Sequence, residues 1–477
     1  MTRFLARGGR PSPAGPVAAA ALTFGPARPG HADPPTADAY LFDTELGPHL
    51  LVTDGSRIYA LDEGPAAQIR AAMGAGREAV RALLDGLGLA GRRYVDDAPI
   101  EPPPLRALSL AVAMKCNLAC TYCYAQEGQF GGPARDMPWE VAEAAVRRLL
   151  DGAAPGERAL LAFLGGEPLV NRDVLRRATE LAAALAAERR VHLRLSITTN
   201  GTLLTPDDAE FFERHGFAVT VSIDGVGEAH DQLRPFKGGR GSHARVLERV
   251  TPLLAAQRRM QVMARVTVTP RNLRLREALD ALLELGFSSV GFSPMLSSPK
   301  RRDELTTPGL EQMLAEMIAC GRELERRALA GEPYPFSNMT SAMQEIHRGA
   351  HRPYPCGAGG GYLGVSAEGG LFSCHRFVND EAGEMGDVHT GVDLARQRRW
   401  LEERHVHRQE PCRTCWARQL CGGGCHHEVI HAGRPACDYV RGWLSYCLEA
   451  YVRLLGSAPW LFTDGCLAPP TSELAGG

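Results

Sequence analysis

The chain has 477 residues, of which 23% are charged, and its formal net charge is -2. This length supports two or three domains, and the balanced charge excludes a strongly basic nucleic-acid-binding protein. No stretch of about 18 to 20 residues is apolar without interruption, so we expect no membrane-spanning segment.

The chain carries 13 cysteines, and a chain this long is not the disulfide framework of a small secreted protein. They cluster near residue 120 and between residues 356 and 437, which is typical of metal binding. Reduced thiolates and an oxygen-sensitive metal centre would both favour the cytoplasm.

Residues 1–37 are rich in Ala, Pro, Gly and Arg and show little apolar periodicity. The start of the chain and its Ala-rich run faintly resemble a signal peptide, but Gly and Pro interrupt the run. We therefore predict a disordered extension, with a misplaced start codon as the alternative.

The segment 38–100 is predicted to be a small domain of strands followed by helices. Its expected elements are strands at 40–42, 49–53 and 57–61, and helices at 65–73 and 77–87. This order resembles the winged-helix peptide-recognition domain of peptide-modifying enzymes, in which a leader peptide adds a strand to the sheet edge. A plain structural cap on the next domain is the alternative. The Pro-rich residues 98–104 predict a stiff linker.

Strands and helices alternate between residues 105 and 335. Expected strands lie at 108–113, 159–164, 192–199, 217–223, 261–269 and 289–294. Expected helices lie at 138–152, 171–188, 206–215, 242–258, 272–286 and 308–330. This alternation predicts βα units around a parallel sheet, with the active site at the carboxyl ends of the strands.

Three cysteines follow the first of these strands directly, namely Cys116, Cys120 and Cys123. A structural zinc site is usually closed by four ligands, whereas three thiolates on a four-iron cluster leave one iron open. The C-x3-C-x2-C spacing resembles the radical S-adenosylmethionine (radical SAM) superfamily. That resemblance implies an α/β fold with a partial (β/α)6 barrel, a SAM molecule on the open iron, and catalysis through a 5′-deoxyadenosyl radical.

The resemblance also implies SAM contacts at the later strand ends. The Gly-Gly-Glu-Pro motif at 165–168 would hold the methionine amino group, and small polar residues would bind the ribose and the methionine carboxylate. The expected cofactor-binding residues are Tyr122, Gly165, Gly166, Glu167, Pro168, Asn200, Ser222, Asp224, Arg234 and Arg265. Loop packing is the alternative for Tyr122, and structural salt bridges are the alternative for Arg234 and Arg265.

A second group of cysteines lies in the segment 350–455, at Cys356, Cys374, Cys412, Cys415, Cys421, Cys425 and Cys437. Zinc ribbons could use four of them but would leave three unexplained. The whole series resembles the SPASM extension, which carries two auxiliary 4Fe-4S clusters and would bring the total to three. The resemblance assigns Cys412, Cys415, Cys421 and Cys437 to an outer cluster.

The same resemblance assigns only Cys356, Cys374 and Cys425 to an inner cluster. Some relatives supply a further cysteine about six residues earlier, where this chain has Ala350. The inner cluster could therefore keep an open iron for a substrate thiolate. The residues that could complete it instead are Cys320, His347 and His351.

The remaining cysteines and histidines have other interpretations. Cys447 lies at helical spacing with apolar residues and is interpreted as core, while Cys466 lies in the Gly- and Pro-rich tail 456–477. The histidines that flank cluster ligands are interpreted as hydrogen-bond donors or packing groups, namely His375, His426, His427 and His431. In formylglycine-forming relatives an aspartate stands at the position of His375.

Stretches that begin at Tyr124, Tyr354 and Cys374 resemble thioether-forming peptide maturases. The resemblance is greatest to the maturation enzyme of quinohemoprotein amine dehydrogenase, with the maturases of six-cysteine peptides as near relatives. This resemblance implies crosslinks between Cys sulfur and Asp or Glu carbon in a small Cys-containing polypeptide, such as the amine dehydrogenase small subunit. It also implies an electron donor such as flavodoxin or ferredoxin. The alternatives are carbon–carbon crosslinking, formylglycine formation, and a non-catalytic iron–sulfur electron-transfer protein.

Overall fold

A parallel sheet flanked by helices forms the centre of the computed structural model, which describes residues 3–5, 38–89, 95–298 and 301–462. Four strands of an amino-terminal unit come first in the chain, so the six central strands are numbered from β5. They are β5 Ala107–Ala113, β6 Arg158–Gly165, β7 His192–Thr199, β8 Ala218–Ser222, β9 Gln261–Val268 and β10 Ser289–Pro294, and they lie side by side in this order. The expected α/β radical SAM fold is confirmed, and every predicted strand boundary in this segment agrees within one residue.

The helices of this segment also agree with the periodicity, within three residues. They are α3 Trp139–Asp151, α4 Arg172–Arg189, α5 Pro206–His215, α6 Glu228–Asp231, α7 His243–Ala256, α8 Leu275–Glu284 and α9 Thr307–Leu329, after α1 and α2 of the amino-terminal unit. Of these, only the short α6 has no counterpart among the predicted elements.

Side chains alternate between the two faces of each central strand, as pleated geometry requires. In β9, Val262, Ala264 and Val266 are buried, whereas Met263 and Arg265 on the opposite face are accessible. The apolar face packs on the helices, so the accessible face lines the interior of the barrel.

The amino-terminal unit is an antiparallel sheet with the order β1-β4-β3-β2. Its elements are β1 Arg3–Leu5, β2 Ala39–Thr44, β3 Gly47–Val52, β4 Arg57–Ala60, α1 Glu63–Ala75 and α2 Arg77–Gly86. Within the segment predicted as a disordered extension, residues 3–5 pair with β4, and the rest of that segment lies outside the described residues.

The Cys-rich carboxyl-terminal part continues the central sheet. Strand β11 pairs in parallel with β5, and three further strands extend the same sheet to ten strands. The elements are β11 Tyr362–Val365, β12 Gly370–Phe372, β13 Glu384–Asp387, β14 Gly391–Val392, α10 Ser337–Arg348, α11 Leu394–Arg404, α12 Arg418–Cys421, α13 His426–Ala432 and α14 Cys437–Leu455. No helix in the described part of the chain is long and apolar enough to cross a membrane.

A buried ion network joins the amino-terminal unit to this Cys-rich part. Asp38 accepts hydrogen bonds from Arg77 and Arg81 of its own unit, and Arg418 of α12 donates to it at 3.2 Å. Burial would raise the pKa of Asp38, but its hydrogen bonds to Arg77 and Arg81, with the charge of Arg418, hold that pKa below its usual value. Because Arg418 lies between Cys415 and Cys421 in sequence, the two units are joined close to the Cys-rich loops.

We predict that Asp38→Asn lowers the free energy of unfolding at pH 7 by about 1–3 kcal/mol, because it weakens the bonds of a buried guanidinium. The native pKa of Asp38 lies below its unfolded value of about 3.9, so its stabilisation is present above that pH and is lost as the pH falls through the native pKa. Urea unfolding at pH 7 and at acid pH measures both effects.

The matched control is Asp43→Asn, which removes an exposed partner of Arg70 at 3.0 Å and should cost less than about 1 kcal/mol. Equal losses in the two variants would contradict a special role for the buried network.

Candidate functional site

The three cysteines of the C-x3-C-x2-C motif share one loop at the carboxyl end of β5 and are half-buried. Burial raises the pKa of Cys116 to about 11, and the charge of Cys123 adds to this effect. Burial likewise raises the pKa of Cys120 to about 12, and both other thiols of the motif contribute. The structure therefore brings the three thiols together in one place.

The thiols of the motif lie farther apart than the ligands of one zinc ion. Thiolates on one tetrahedral zinc, with bonds near 2.3 Å, lie about 3.8 Å apart. Among the described residues, no three cysteine sulfurs lie within 4.8 Å of one another. Three thiols that interact at wider spacing fit a multi-iron cluster, and binding would deprotonate them in spite of their raised pKa values.

The glycines of the Gly-Gly-Glu-Pro motif let two backbone segments touch. A Cβ on Gly165, whose φ is +146°, would lie 2.3 Å from the carbonyl oxygen of Ala113. A Cβ on Gly166 would lie 2.3 Å from the carbonyl oxygen of Lys115. The end of β6 is thus held against the residues that lead into the cysteine loop, which also accept hydrogen bonds from Gly166 and Glu167.

Glu167 is fully buried, and its carboxylate binds other parts of the protein. It accepts hydrogen bonds from the Thr199 hydroxyl at 2.7 Å and from the Asn200 backbone N–H at 2.7 Å. Burial raises the pKa of Glu167, although these bonds oppose the shift. In the structure, Glu167 ties the end of β6 to the end of β7, and its role toward SAM stays a prediction. Pro168 is buried beside it and begins a short helix.

Asn200 links the end of β7 to the cysteine loop. Its Nδ2 donates to Asn117 Oδ1 at 2.9 Å and approaches Cys116 Sγ at 3.7 Å. Asn117 donates in turn to the Thr202 hydroxyl at 2.8 Å. The positioning role of Asn117 was not predicted, and its only sequence signal is its place inside the cysteine motif.

Tyr122, Asp224 and Arg234 form one buried network beside the cysteines. The Tyr122 hydroxyl donates to Asp224, Arg234 Nη1 donates to the same hydroxyl at 2.5 Å, and Arg234 lies 3.7 Å from Asp224. Burial raises the pKa of Asp224 in spite of the charge of Arg234. The charge of Arg234 also opposes the burial that raises the pKa of Cys120, so it favours the thiolate that a cluster needs.

Ser222 and Arg265 lie side by side on β8 and β9, on the face that lines the barrel interior. Arg265 donates to Ser293, and its side chain stays accessible within the barrel. The barrel walls enclose the Arg265 guanidinium in part, and this partial desolvation lowers its pKa although the side chain remains accessible. Ser222 and Arg265 are more accessible than Glu167, Asn200 or Asp224, and they can offer polar groups to a ligand in the barrel.

The structure also brings the carboxyl-terminal cysteines together in two groups. Burial raises the pKa of Cys374 to about 12, and the charges of Cys425 and Cys356 add to it. In the other group, burial raises the pKa of Cys412 to about 12. The charges of three neighbouring thiols raise it further, namely those of Cys421, Cys437 and Cys415.

The candidates for completing the inner group lie in different surroundings. Cys320 is buried on α9, and this burial raises the pKa of its thiol. The charge of Glu316 raises that pKa further, whereas the charge of Arg276 lowers it. His347 Nδ1 shares a hydrogen bond of 3.1 Å with the Tyr451 hydroxyl. Cys447 is fully buried in the core, while Cys466 lies outside the described residues. His351, close to Cys356 in sequence, stays a candidate ligand.

A bridge of aromatic and charged side chains separates the first cysteine group from the inner group. The guanidinium of Arg376 stacks on the Tyr124 ring at 5.2 Å and reaches Cys425 Sγ at 3.6 Å. Burial raises the pKa of Tyr124, and the charges of Cys123 and Cys374 raise it further. Tyr124 therefore lies within electrostatic range of both cysteine groups, a placement that sequence reasoning missed.

A hydrogen-bonded chain runs beside this bridge. Ser109 Oγ lies 2.8 Å from the Tyr362 hydroxyl, which lies 2.9 Å from His375 Nδ1. Burial, with the charge of Arg376, lowers the pKa of His375 to about 4. The imidazole is consequently neutral at neutral pH. His426 is buried against Trp400 on the other side of this region.

The chain matches known proteins over most of its length. The model of the radical SAM superfamily matches residues 111–259. A serine-type anaerobic sulfatase-maturating enzyme of Klebsiella aerogenes is 26% identical over 344 residues, which cover 70% of this chain and 83% of the relative. An uncharacterized protein of Methanocaldococcus jannaschii is 30% identical over 220 residues, covering 46% of this chain and 72% of the relative.

A similar fold occurs among solved structures. "Native anSMEcpe with bound AdoMet and Cp18Cys peptide" matches with a TM-score of 0.60 and 21% identity, covering 75% of this chain and 99% of the other. At 21% identity the match supports a shared fold. The matched region covers 75% of this chain, so the shared fold extends beyond residues 111–259.

We predict that Tyr122→Phe lowers the free energy of unfolding by about 1–3 kcal/mol, because it removes the hydroxyl that bridges buried Asp224 and Arg234. Chemical unfolding of the anaerobically purified protein measures this loss. The matched control is Tyr124→Phe, since the contacts of Tyr124 with Phe130 and Arg376 are made by its ring. Equal effects of the two substitutions would contradict the bridging role.

Proposed function

The chain belongs to the radical SAM superfamily, and from this premise we propose that it is a maturase that oxidises a side chain of a polypeptide substrate. The observation that carries the proposal is the position of Tyr124, within electrostatic range of Cys123 on one side and of Cys374 on the other. A substrate side chain held beside Tyr124 would lie near both a hydrogen-abstracting centre and an electron-accepting centre.

Cys116, Cys120 and Cys123 would hold the SAM-binding cluster. The chemistry that this cluster supplies when bound is one-electron cleavage of SAM, which yields a radical able to take hydrogen from an unactivated carbon. The buried hydrogen bonds of Glu167, Asn200 and Asp224 hold the strand ends and the cysteine loop in fixed positions. The cofactor would therefore bind to a preorganised site.

The accessible groups of the barrel would bind SAM itself. Arg265 can form a charge-assisted hydrogen bond with the methionine carboxylate, and Ser222 lies next to it for a further polar contact. Gly165 and Gly166 expose backbone groups at the same strand ends. Tyr122 and Arg234 would stabilise the loop around this site through their hydrogen bond. The positive charge of Arg234 lies near Cys120.

The carboxyl-terminal cysteines would hold two auxiliary clusters, the outer one on four thiols and the inner one on Cys356, Cys374 and Cys425. These would take up the electron that remains when a substrate loses a hydrogen atom and a proton. The proposal includes an external donor such as flavodoxin or ferredoxin and a location in the cytoplasm.

The first candidate reaction is oxidation of a serine side chain to an aldehyde, formylglycine. The similarity to serine-type sulfatase-maturating enzymes supports it, as does the fold shared with a structure that holds both AdoMet and a peptide. The serine side-chain carbon would lose a hydrogen atom and its hydroxyl would lose a proton. Cys356, Cys374 and Cys425 would hold a cluster able to accept the remaining electron.

The second candidate reaction is thioether formation between Cys sulfur and an Asp or Glu carbon. His375 favours this reaction, because formylglycine-forming relatives carry an aspartate at its position. In this structure the His375 imidazole shares a hydrogen bond with the Tyr362 hydroxyl. The inner group of only three cysteines also favours it, because a substrate thiolate could complete the coordination. Here the carbon loses a hydrogen atom, the thiol loses a proton, one electron leaves, and a carbon–sulfur bond forms.

We predict that the reconstituted protein contains about 12 iron atoms, as three four-iron clusters require. Cys116→Ala should lose about four of them and all SAM cleavage, while Cys412→Ala should lose a similar number and retain uncoupled cleavage. Iron analysis and 5′-deoxyadenosine assays measure both. Cys320→Ala is the matched control and should keep all its iron; a loss there would make Cys320 a ligand.

Mass spectrometry can decide the reaction on a short Cys-containing polypeptide encoded beside this gene, together with a serine-containing sulfatase peptide. Aldehyde formation predicts a product that reacts with a hydrazide reagent. Thioether formation predicts loss of two hydrogens for each thiol that resists alkylation, without a hydrazide adduct. SAM cleavage with neither change in either substrate would contradict both candidate reactions.

A further inference from the structure

A second group of potential metal ligands lies outside the cysteine groups. Asp380, His427 and His431 place one ligand atom each within 4.8 Å of one another. Asp380 Oδ2 lies 2.7 Å from His431 Nε2, and the rings of His427 and His431 are 4.6 Å apart. Among the described residues, this is the one such group of three His, Cys, Asp or Glu side chains.

The three side chains are held in place by their surroundings. His427 and His431 are four residues apart on α13, so they share one face of the helix. Phe377 packs against both rings, at 5.0 and 5.9 Å. The other oxygen of Asp380 accepts the Ala382 N–H at 3.0 Å, which fixes the carboxylate toward the histidines.

One atom of this group is unsatisfied within the described structure. His427 Nδ1 is buried and has no hydrogen-bond partner there. A buried polar nitrogen without a partner is unfavourable, and a bound metal ion would supply the missing partner. His431 is exposed, so an ion could reach the site from solvent.

We propose that Asp380, His427 and His431 bind a divalent transition-metal ion, with zinc as the best match. Two imidazole nitrogens and one carboxylate oxygen are ligands that zinc accepts, and water would complete a tetrahedral site. Ligand atoms at bond lengths near 2.1 Å lie about 3.4 Å apart. Asp380 Oδ2 and His431 Nε2 lie 2.7 Å apart, so these two atoms would separate, and the proton that they share would leave, when the ion binds.

The site would join two segments that carry cysteines of the inner group. Asp380 follows Cys374 by six residues, and His427 follows Cys425 by two. Arg376 and Glu428 already join the same segments through a 2.8 Å ion pair. A metal ion would add a second, stronger tie and hold the inner cysteine group in place.

The test measures zinc in the cluster-loaded, anaerobically purified protein after incubation with zinc and removal of loosely bound ions. Iron is measured in the same samples. We expect one retained zinc ion per wild-type chain and none in His431→Gln, because a glutamine amide can keep the hydrogen bond to Asp380 but is a poor zinc ligand. In a direct titration, the affinity of His431→Gln for zinc should be at least about 100-fold lower than that of the wild type. This loss exceeds the one expected from removing a residue that only hydrogen-bonds to a metal ligand.

The matched control is His389→Ala, which removes an exposed histidine elsewhere in the Cys-rich part and should retain the zinc. Equal retention in wild type and His431→Gln, or no retention in wild type, would overturn the proposal. Zinc uptake accompanied by loss of iron would also overturn it, because the ion would then occupy cluster cysteines. Metal content is read without any substrate, so this outcome is independent of the proposed reaction.

Discussion

The contact between the end of β6 and the start of the cysteine loop is the constraint on which the rest of the site depends. Only residues without a Cβ allow the backbone at Gly165 and Gly166 to approach Ala113 and Lys115 this closely. The contact places the first cysteine group directly above the parallel sheet, at the carboxyl ends of its strands. A side chain at either glycine would push the loop away and separate the thiols from the barrel.

Burial of polar groups extends this constraint around the barrel. Glu167 joins β6 to β7, Asn200 joins β7 to the cysteine loop, and Asp224 accepts the Thr267 N–H of β9 at 2.8 Å while it meets Tyr122. Each of these buried groups has hydrogen-bond partners, so its burial costs little free energy. Removing one partner would leave a buried polar group without a hydrogen bond and would destabilise the protein. The residues expected to contact SAM thus include several that shape its site.

The ten-stranded sheet gives the carboxyl-terminal cysteines a fixed position relative to the barrel. Because β11 pairs with β5 on one side and with β12 on the other, the hairpin that leads to Cys374 belongs to the same sheet as the strand that leads to Cys116. Tyr124 and Arg376 fill the space between the two groups. A shared sheet edge and a buried bridge allow less relative movement than a flexible linker between domains would.

The sequence by itself determined the barrel, because apolar periodicity and turn residues are local signals that recur with every βα unit. It also determined which cysteines belong to the first group, since their spacing within one loop is local. The tertiary structure alone decided how β11 joins the sheet, since a four-residue strand gains its place only from a partner about 250 residues away in the chain. It also decided that Glu167 and Asp224 are buried ties and that Asp380 meets two histidines of α13. Such contacts depend on the packing of distant segments, which no local pattern of residues encodes.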